Sequence, residues 1–406
     1  MKSIINFVAK DKTFYIVLAL SFMVYVYMLH PRLGGTMWTD VRVHAEFVLK
    51  WLEQGFEAMP MNFLYFGTVA IFAGLQKSIV ILYIASAVVL SIMWAAKYSV
   101  SRYIITDCLR QQKVDISERE TTIKVFAFLL TFVMHIPLNS ILYRQHVYFY
   151  LAELMPNTWH NSTTIFMLPF STLLFYLAYK KIFLEKENYT KYINLLAIVC
   201  FFIKPNFTLC FSPIYFLCIA YKYRLNREFW YALPAVIVPL LLLATQSLHL
   251  FSNELGGQYA QKNNGGITIA LFQGWNAQMR ATDFVTYFKF LFAFLGIYTF
   301  PIIYGIVYKK YSKLQLLSLF FVLTALSILI LFAEIANGDY NRDGNFLWQV
   351  VMCNYIMMLV FLTHFLKKIF SRQIETKDIV VGAIFFAHFV SGFLYIMYII
   401  INKAYS

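Results

Sequence analysis

Residues 13–30 read TFYIVLALSFMVYVYMLH, and residues 31–61 continue PRLGGTMWTDVRVHAEFVLKWLEQGFEAMPM. The first stretch has no Lys, Arg, Asp or Glu and is close to the length that crosses a bilayer, about 20 apolar residues. The second changes character at once. From Val41 to Gln54, Val43, Phe47, Val48, Trp51 and Leu52 recur at helical spacing, opposite Arg42, Glu46, Lys50, Glu53 and Glu57. Such a stripe predicts an amphipathic helix lying in the membrane interface. Thr39 or Asp40 can cap it. Asp40 is equally suited to be a general base at the mouth of a membrane cavity.

Composition extends the membrane assignment to the whole chain. Of 406 residues, 60% are hydrophobic and 19% aromatic, while only 13% are charged. A soluble domain has roughly 25% charged residues. No polar stretch is long enough to form a separate soluble domain, so 1–406 reads as one transmembrane domain. The net charge of +14 is spread over short clusters beside apolar runs. Clusters of that kind are topology signals rather than a nucleic-acid footprint. Cys108, Cys200, Cys210, Cys218 and Cys353 lie mostly inside apolar runs without a CxxC pair, which argues against a disulfide framework or zinc site.

The expected fold is all-α, a polytopic helix bundle with about eleven spans. Nine runs fall near 13–30, 78–96, 122–139, 163–179, 228–247, 284–307, 314–333, 346–366 and 378–401. Two shorter spans are expected within 192–221, broken at Lys204-Pro205, where proline bars a continuous helix. The stretch 61–76 is apolar but short, and reads as an interfacial or re-entrant element. Loops at 1–12, 97–124, 180–191, 222–228, 309–313 and 367–378 hold 23 of the 34 Lys and Arg. The positive-inside rule assigns them, and the N-terminus, to the cytoplasm. The outer loops are then about 31–61, 140–162, 248–283 and 334–345.

Those outer loops carry the candidate chemistry. Arg144, His146, Asn157, Trp159, His160 and Asn161 crowd the second. Donors and acceptors beside an aromatic plane suit a sugar ring, although an interfacial belt also favours Trp159. Lys204 interrupts apolar sequence; it can snorkel, or face a cavity as a partner for a lipid-linked phosphate. In the region 248–283, Gly256-Gly257 and Gly265-Gly266 flank Lys262 in a loop able to fold over a site. The last outer loop packs Glu334, Asp339, Arg342, Asp343, Asn345 and Trp348 together. Arg342 suits a bidentate phosphate clamp, in competition with an ion pair to Asp339 or Asp343.

The layout, one span followed by an acid-bearing outer loop with interfacial helices and many further spans, resembles the GT-C superfamily of integral-membrane glycosyltransferases. Pro156-Asn157-Thr158-Trp159-His160-Asn161 and Asp343-Gly344-Asn345-Phe346-Leu347-Trp348 are similar to strings in bacterial proteins of cell-surface polysaccharide loci. The resemblance implies transfer of a sugar from a polyprenyl-phosphate donor to a glycan or glycolipid acceptor, on the non-cytoplasmic face of a bacterial inner or plasma membrane. It implies Asp40 as base. Arg342, Lys204, Arg144 and Lys262 would bind the donor phosphate, with His44, Asn157, Trp159, His160, Asn345 and Trp348 around the sugars. Many members carry paired acids where this chain has Asp40-Val41, with Glu46 the next, so a divalent metal is possible but not favoured, and no other cofactor is implied. Partners would be the donor, the acceptor and membrane lipids. Two alternatives stay open: a polysaccharide polymerase or ligase using Arg280 and Arg342, and a lipid-linked glycan flippase or transporter, which would need charged residues within several spans.

Overall fold

The computed structural model describes residues 11–29, 39–55, 60–138, 154–185, 189–251, 266–275, 284–336, 339–340, 345–371 and 373–402. Its helices, in chain order, are α1 (Lys12–Leu29), α2 (Asp40–Gln54), α3 (Leu64–Phe72), α4 (Ile79–Gln111), α5 (Glu120–Phe132), α6 (Ser162–Phe183) and α7 (Thr190–Ile203). There follow α8 (Asn206–Tyr223), α9 (Arg227–Ala232), α10 (Pro234–Phe251), α11 (Phe284–Tyr308), α12 (Lys313–Leu331), α13 (Trp348–Ser371) and α14 (Thr376–Asn402). Helices α6 and α13 lie at the centre, buried along most of their length. α1, α11, α12 and α14 expose apolar faces such as Phe320, Leu323, Phe393 and Leu394.

This is a helical bundle of the multi-pass membrane kind. Seven helices among the described residues are long and apolar enough to cross a bilayer, fewer than the expected eleven. The difference comes from apolar runs that break or end early, leaving helices too short or too polar to count. α3 has nine residues, which rise only about 14 Å, as a non-crossing element should. The apolar run 192–221 divides at Lys204-Pro205 into α7 and α8. The run near 228–247 divides into α9 and α10 around Leu233-Pro234.

The run 122–139 departs furthest from expectation. α5 stops at Phe132, and residues 133–137 carry no helix. Pro137 disfavours helical backbone at the residue before it. Irregular backbone inside an apolar bundle is tolerated only where its polar groups find partners, and here they do. Met134 N donates to His388 O (3.1 Å), and Ile136 N to Gly296 O (3.0 Å). Val133 O accepts from Asn157 Nδ2 (2.7 Å), Met134 O from the His388 ring (2.8 Å), and His135 O from Ser391 Oγ (2.6 Å). Two glycines let the neighbours approach this closely. A Cβ on Gly392 would lie 1.5 Å from Phe132 O, and one on Gly296 2.4 Å from Ile136 O.

Two further expectations are corrected. α4 runs unbroken to Gln111, so Lys97 and Arg102 belong to a helix buried in the bundle, not to a loop. The fold also contains a small antiparallel sheet of β1 (Gly266–Ile269), β2 (Phe332–Ala336) and β3 (Asp339–Tyr340) in that order. Its register pairs Ile267 with Glu334 and Ile335 with Tyr340. The sheet joins the region 248–283 to the region 334–345.

Gly392→Ala is expected to destabilise the protein by about 1–3 kcal/mol, because its methyl group overlaps the α5 terminus. The melting midpoint in detergent reads this directly. An unchanged midpoint would show that the close approach is not required.

Candidate functional site

The site is assembled at the start of three helices. Thr39 is the N-cap of α2, its Oγ1 accepting from Arg42 N (3.3 Å). Asp40, in the first turn, is thereby left for other work. α2 buries Val41, Ala45 and Val48 and exposes Phe47, so its inward face is rotated from the predicted stripe. The backbone of the neighbouring segment meets it where Val41 N donates to His160 O (3.2 Å).

Asn161 is the N-cap of α6, and its Oδ1 accepts from Thr164 N (3.0 Å). The same oxygen accepts from Lys204 Nζ (3.1 Å). Its Nδ2 donates to Asp40 Oδ2 (2.7 Å). One asparagine therefore joins a carboxylate to an ammonium. Lys204 also donates to Thr163 Oγ1 (2.9 Å) and lies 4.9 Å from the centre of the Trp348 ring. Asp40 is half-buried, and its Oδ1 bonds no described residue. The N-termini of α2 and α6 both meet here, an arrangement that favours anions.

Histidines complete the ring. His44, one turn after Asp40, bonds Ser162 Oγ through Nδ1 and stacks edge-on near Phe66. The His160 ring lies 5.6 Å from Trp348 and bonds Thr158 Oγ1 (3.1 Å). Burial pushes both imidazoles down to about 4; Asp40 pulls them up and Lys204 pushes them lower. Lys204, in the break between α7 and α8, is pushed down to about 7 by burial, against the upward pull of Asp40. All three groups sense the same carboxylate.

Asn345 is joined less directly. Asn206, two residues after Lys204, donates through Nδ2 to Asn345 O, while Asn345 Nδ2 donates to Glu334 Oε2 (2.8 Å). Asp40, His44, His160, Lys204 and Trp348 thus converge, with Asn345 at the margin. Asn157 and Trp159 do not. Asn157 accepts from Lys97 Nζ (2.7 Å), and Trp159 is stacked on Trp94 at 3.9 Å. Arg144, Lys262, Arg280 and Arg342 lie outside the described residues. Asn161 and Thr163 hold the cluster together; the sequence shows Asn161 only as one of several polar groups in the second outer loop, not as the link between Asp40 and Lys204.

No protein-family model matches this sequence, and no curated protein is similar to it. The chemistry of the site has to be argued from its own geometry. A carboxylate with one anchored oxygen can take a proton on the other. A nearby lysine in a largely buried position can donate to an anion.

The two depressed histidines make native stability rise with pH between about 4 and the ordinary value of 6.5, because the unfolded chain binds more protons there. Lys204 adds a second rise between about 7 and 10.5. Lys204→Met is expected to lessen the upper rise and keep the lower one. Melting in detergent across both windows checks this; an unaltered upper slope overturns the assignment.

Proposed function

We propose that this chain is a membrane glycosyltransferase that moves a sugar from a polyprenyl-phosphate donor to a hydroxyl of a glycan or glycolipid acceptor. The observation that carries this reading is the Asp40–Asn161–Lys204 bridge, at the start of the helices of a membrane bundle. Its two ends match what such a transfer needs.

In the proposed step, Asp40 Oδ1 takes the proton of the acceptor hydroxyl as its oxygen attacks the anomeric carbon. The bond from that carbon to the phosphate oxygen breaks, and the electron pair leaves with the lipid-linked phosphate. Lys204 donates to the departing phosphate, where charge accumulates. Attack opposite the leaving group inverts the anomeric centre. A donor dissolved in the membrane needs no nucleotide-binding fold. The site would face the non-cytoplasmic side, because the base-rich loops fall on the other by the positive-inside rule.

One observation favours the transporter alternative. Lys97, Arg102 and Lys289 are buried within helices, and charges inside spans are common in transport proteins. Asp40→Asn separates the two. In a transferase it should lower turnover by about 10²–10⁴-fold while donor binding persists; a transporter that does not use Asp40 for proton exchange should keep its flux. Lys204→Met should instead weaken donor binding, by roughly the 1.5–3 kcal/mol of a charge-assisted hydrogen bond. Donor affinity in the parent protein should also fall as pH rises through about 7 and the ammonium loses its proton. Turnover of lipid-linked sugar by purified protein, with binding measured separately, gives both readouts.

Orientation has its own check. Single cysteines at 40 and 342, in a cysteine-free background, should react with an impermeant reagent added outside the cell, and a cysteine at 115 should not. The reverse pattern puts the site on the wrong face.

A further inference from the structure

Lys97 takes no part in the proposed reaction, yet it is among the largest fully enclosed side chains of the protein. No carboxylate pairs with it among the described residues. Its Nζ donates to Thr131 O (3.2 Å), in the last turn of α5, and to Asn157 Oδ1 (2.7 Å). Both are neutral acceptors, and the first lies at the negative end of a helix. The ammonium also sits 3.1 Å from the centre of the Trp94 ring. Trp159 is stacked on Trp94 at 3.9 Å. A ring cannot hold both groups that close on one side, so they occupy opposite faces.

A buried lysine is a costly way to fill space, because the loss of water around its charge is offset only by the groups it bonds. Its retained value lies in what the charge holds. Lys97 grips the segment 154–161 twice, through Asn157 and through the Trp94–Trp159 stack. That segment delivers His160 and Asn161 to Asp40 and Lys204.

We infer that Lys97 is a positioning residue: its ammonium, lodged where α5 breaks off, anchors Asn157 and so fixes the segment that aligns Asp40 with Lys204. The effect on catalysis rests on the glycosyltransferase reading; the effect on the segment does not. Asn157 binds the broken end a second time through Nδ2, to Val133 O (2.7 Å). Removing the ammonium leaves that contact in place, so the segment should loosen rather than detach.

The test uses the full-length protein in detergent, with Lys97→Met and Asn157→Leu singly and together. Hydrogen exchange is read at residues 154–161, and binding is read with a sugar-free polyprenyl phosphate as probe. Lys97→Met should speed exchange in 154–161 more than in the rest of the protein, beyond what any fall in the melting midpoint explains. Probe binding should weaken by about tenfold, the cost of misaligning one charge-assisted contact. The double variant should be no worse than Asn157→Leu alone, because the two act as one unit. Unchanged exchange in Lys97→Met, or fully additive effects, overturns the inference. If Lys97→Met fails to fold, Asn157→Leu carries the test, and unchanged exchange at 158–161 overturns the inference equally. Faster exchange in a protein whose parent form does not bind the probe supports Lys97 as an anchor while sinking the glycosyltransferase reading.

Discussion

An ammonium and a carboxylate placed close together in a poorly solvated site attract strongly, and in direct contact each would quench the other. Asn161 prevents that contact while satisfying both. Its orientation is forced. Oδ1 must accept from Thr164 N to cap α6 and also receives Lys204, which leaves only the amide hydrogens for Asp40. The hydrogen-bond network therefore assigns the amide with no ambiguity between oxygen and nitrogen. A helix cap, ordinarily a local device, here sets the separation of two charged groups from distant parts of the chain. Replacing the asparagine by aspartate would present Asp40 with a second carboxylate, and replacing it by serine would not span the gap.

Several parts of this arrangement are legible in the sequence. Lys204-Pro205 marks a helix break inside apolar residues, and the chain breaks there. Thr39-Asp40 reads as a helix start, and Thr39 takes the cap. Trp348 and His160 read as polar-aromatic neighbours of a site, and both lie beside the charged cluster. Two features were hidden. Counting Lys and Arg by loop treats every base alike, so Lys97 and Arg102 were assigned to solvent. The surrounding Ala95, Ala96, Ile104 and Ile105 continue an apolar helix past both, and Arg102 ends within 2.6 Å of buried Asp11. The sheet was hidden for another reason. Gly266–Ile269 is only four residues long, too short for alternation to register, and its partner β2 follows directly from the end of α12.

Trp159 shows what local sequence cannot decide. A tryptophan flanked by Asn, Thr and His reads as a sugar platform or as part of an interfacial belt, and here it is a packing contact instead. The choice is made by Trp94, 65 positions earlier, whose ring Trp159 covers. The tryptophan that does border the charged cluster is Trp348, already occupied by Lys204 and the His160 ring. If a sugar binds here, the side chains around it are mostly amides: Asn206, Asn345 and Gln349 share hydrogen bonds at the edge of the cluster. Discrimination would then come from hydrogen bonds rather than from stacking, which is the stronger means of rejecting an analogue that lacks one hydroxyl.

The two breaks in regular helix explain why the cluster can exist at all. A continuous helix satisfies its own backbone and offers an apolar bundle only side chains. Where α5 ends at Phe132 and where α7 gives way to α8, backbone groups need partners from elsewhere. At the first break, Asn157, His388 and Ser391 supply them. At the second, Lys204 leaves the helical path and reaches Asn161 and Thr163. Segment 154–161 lies against both, bonded to the first through Asn157 and to the second through Asn161. Its position is thus over-determined from two sides, which is the condition for holding polar groups at fixed distances inside an apolar interior. Straightening either break would remove one of the two supports that keep Asp40 and Lys204 apart.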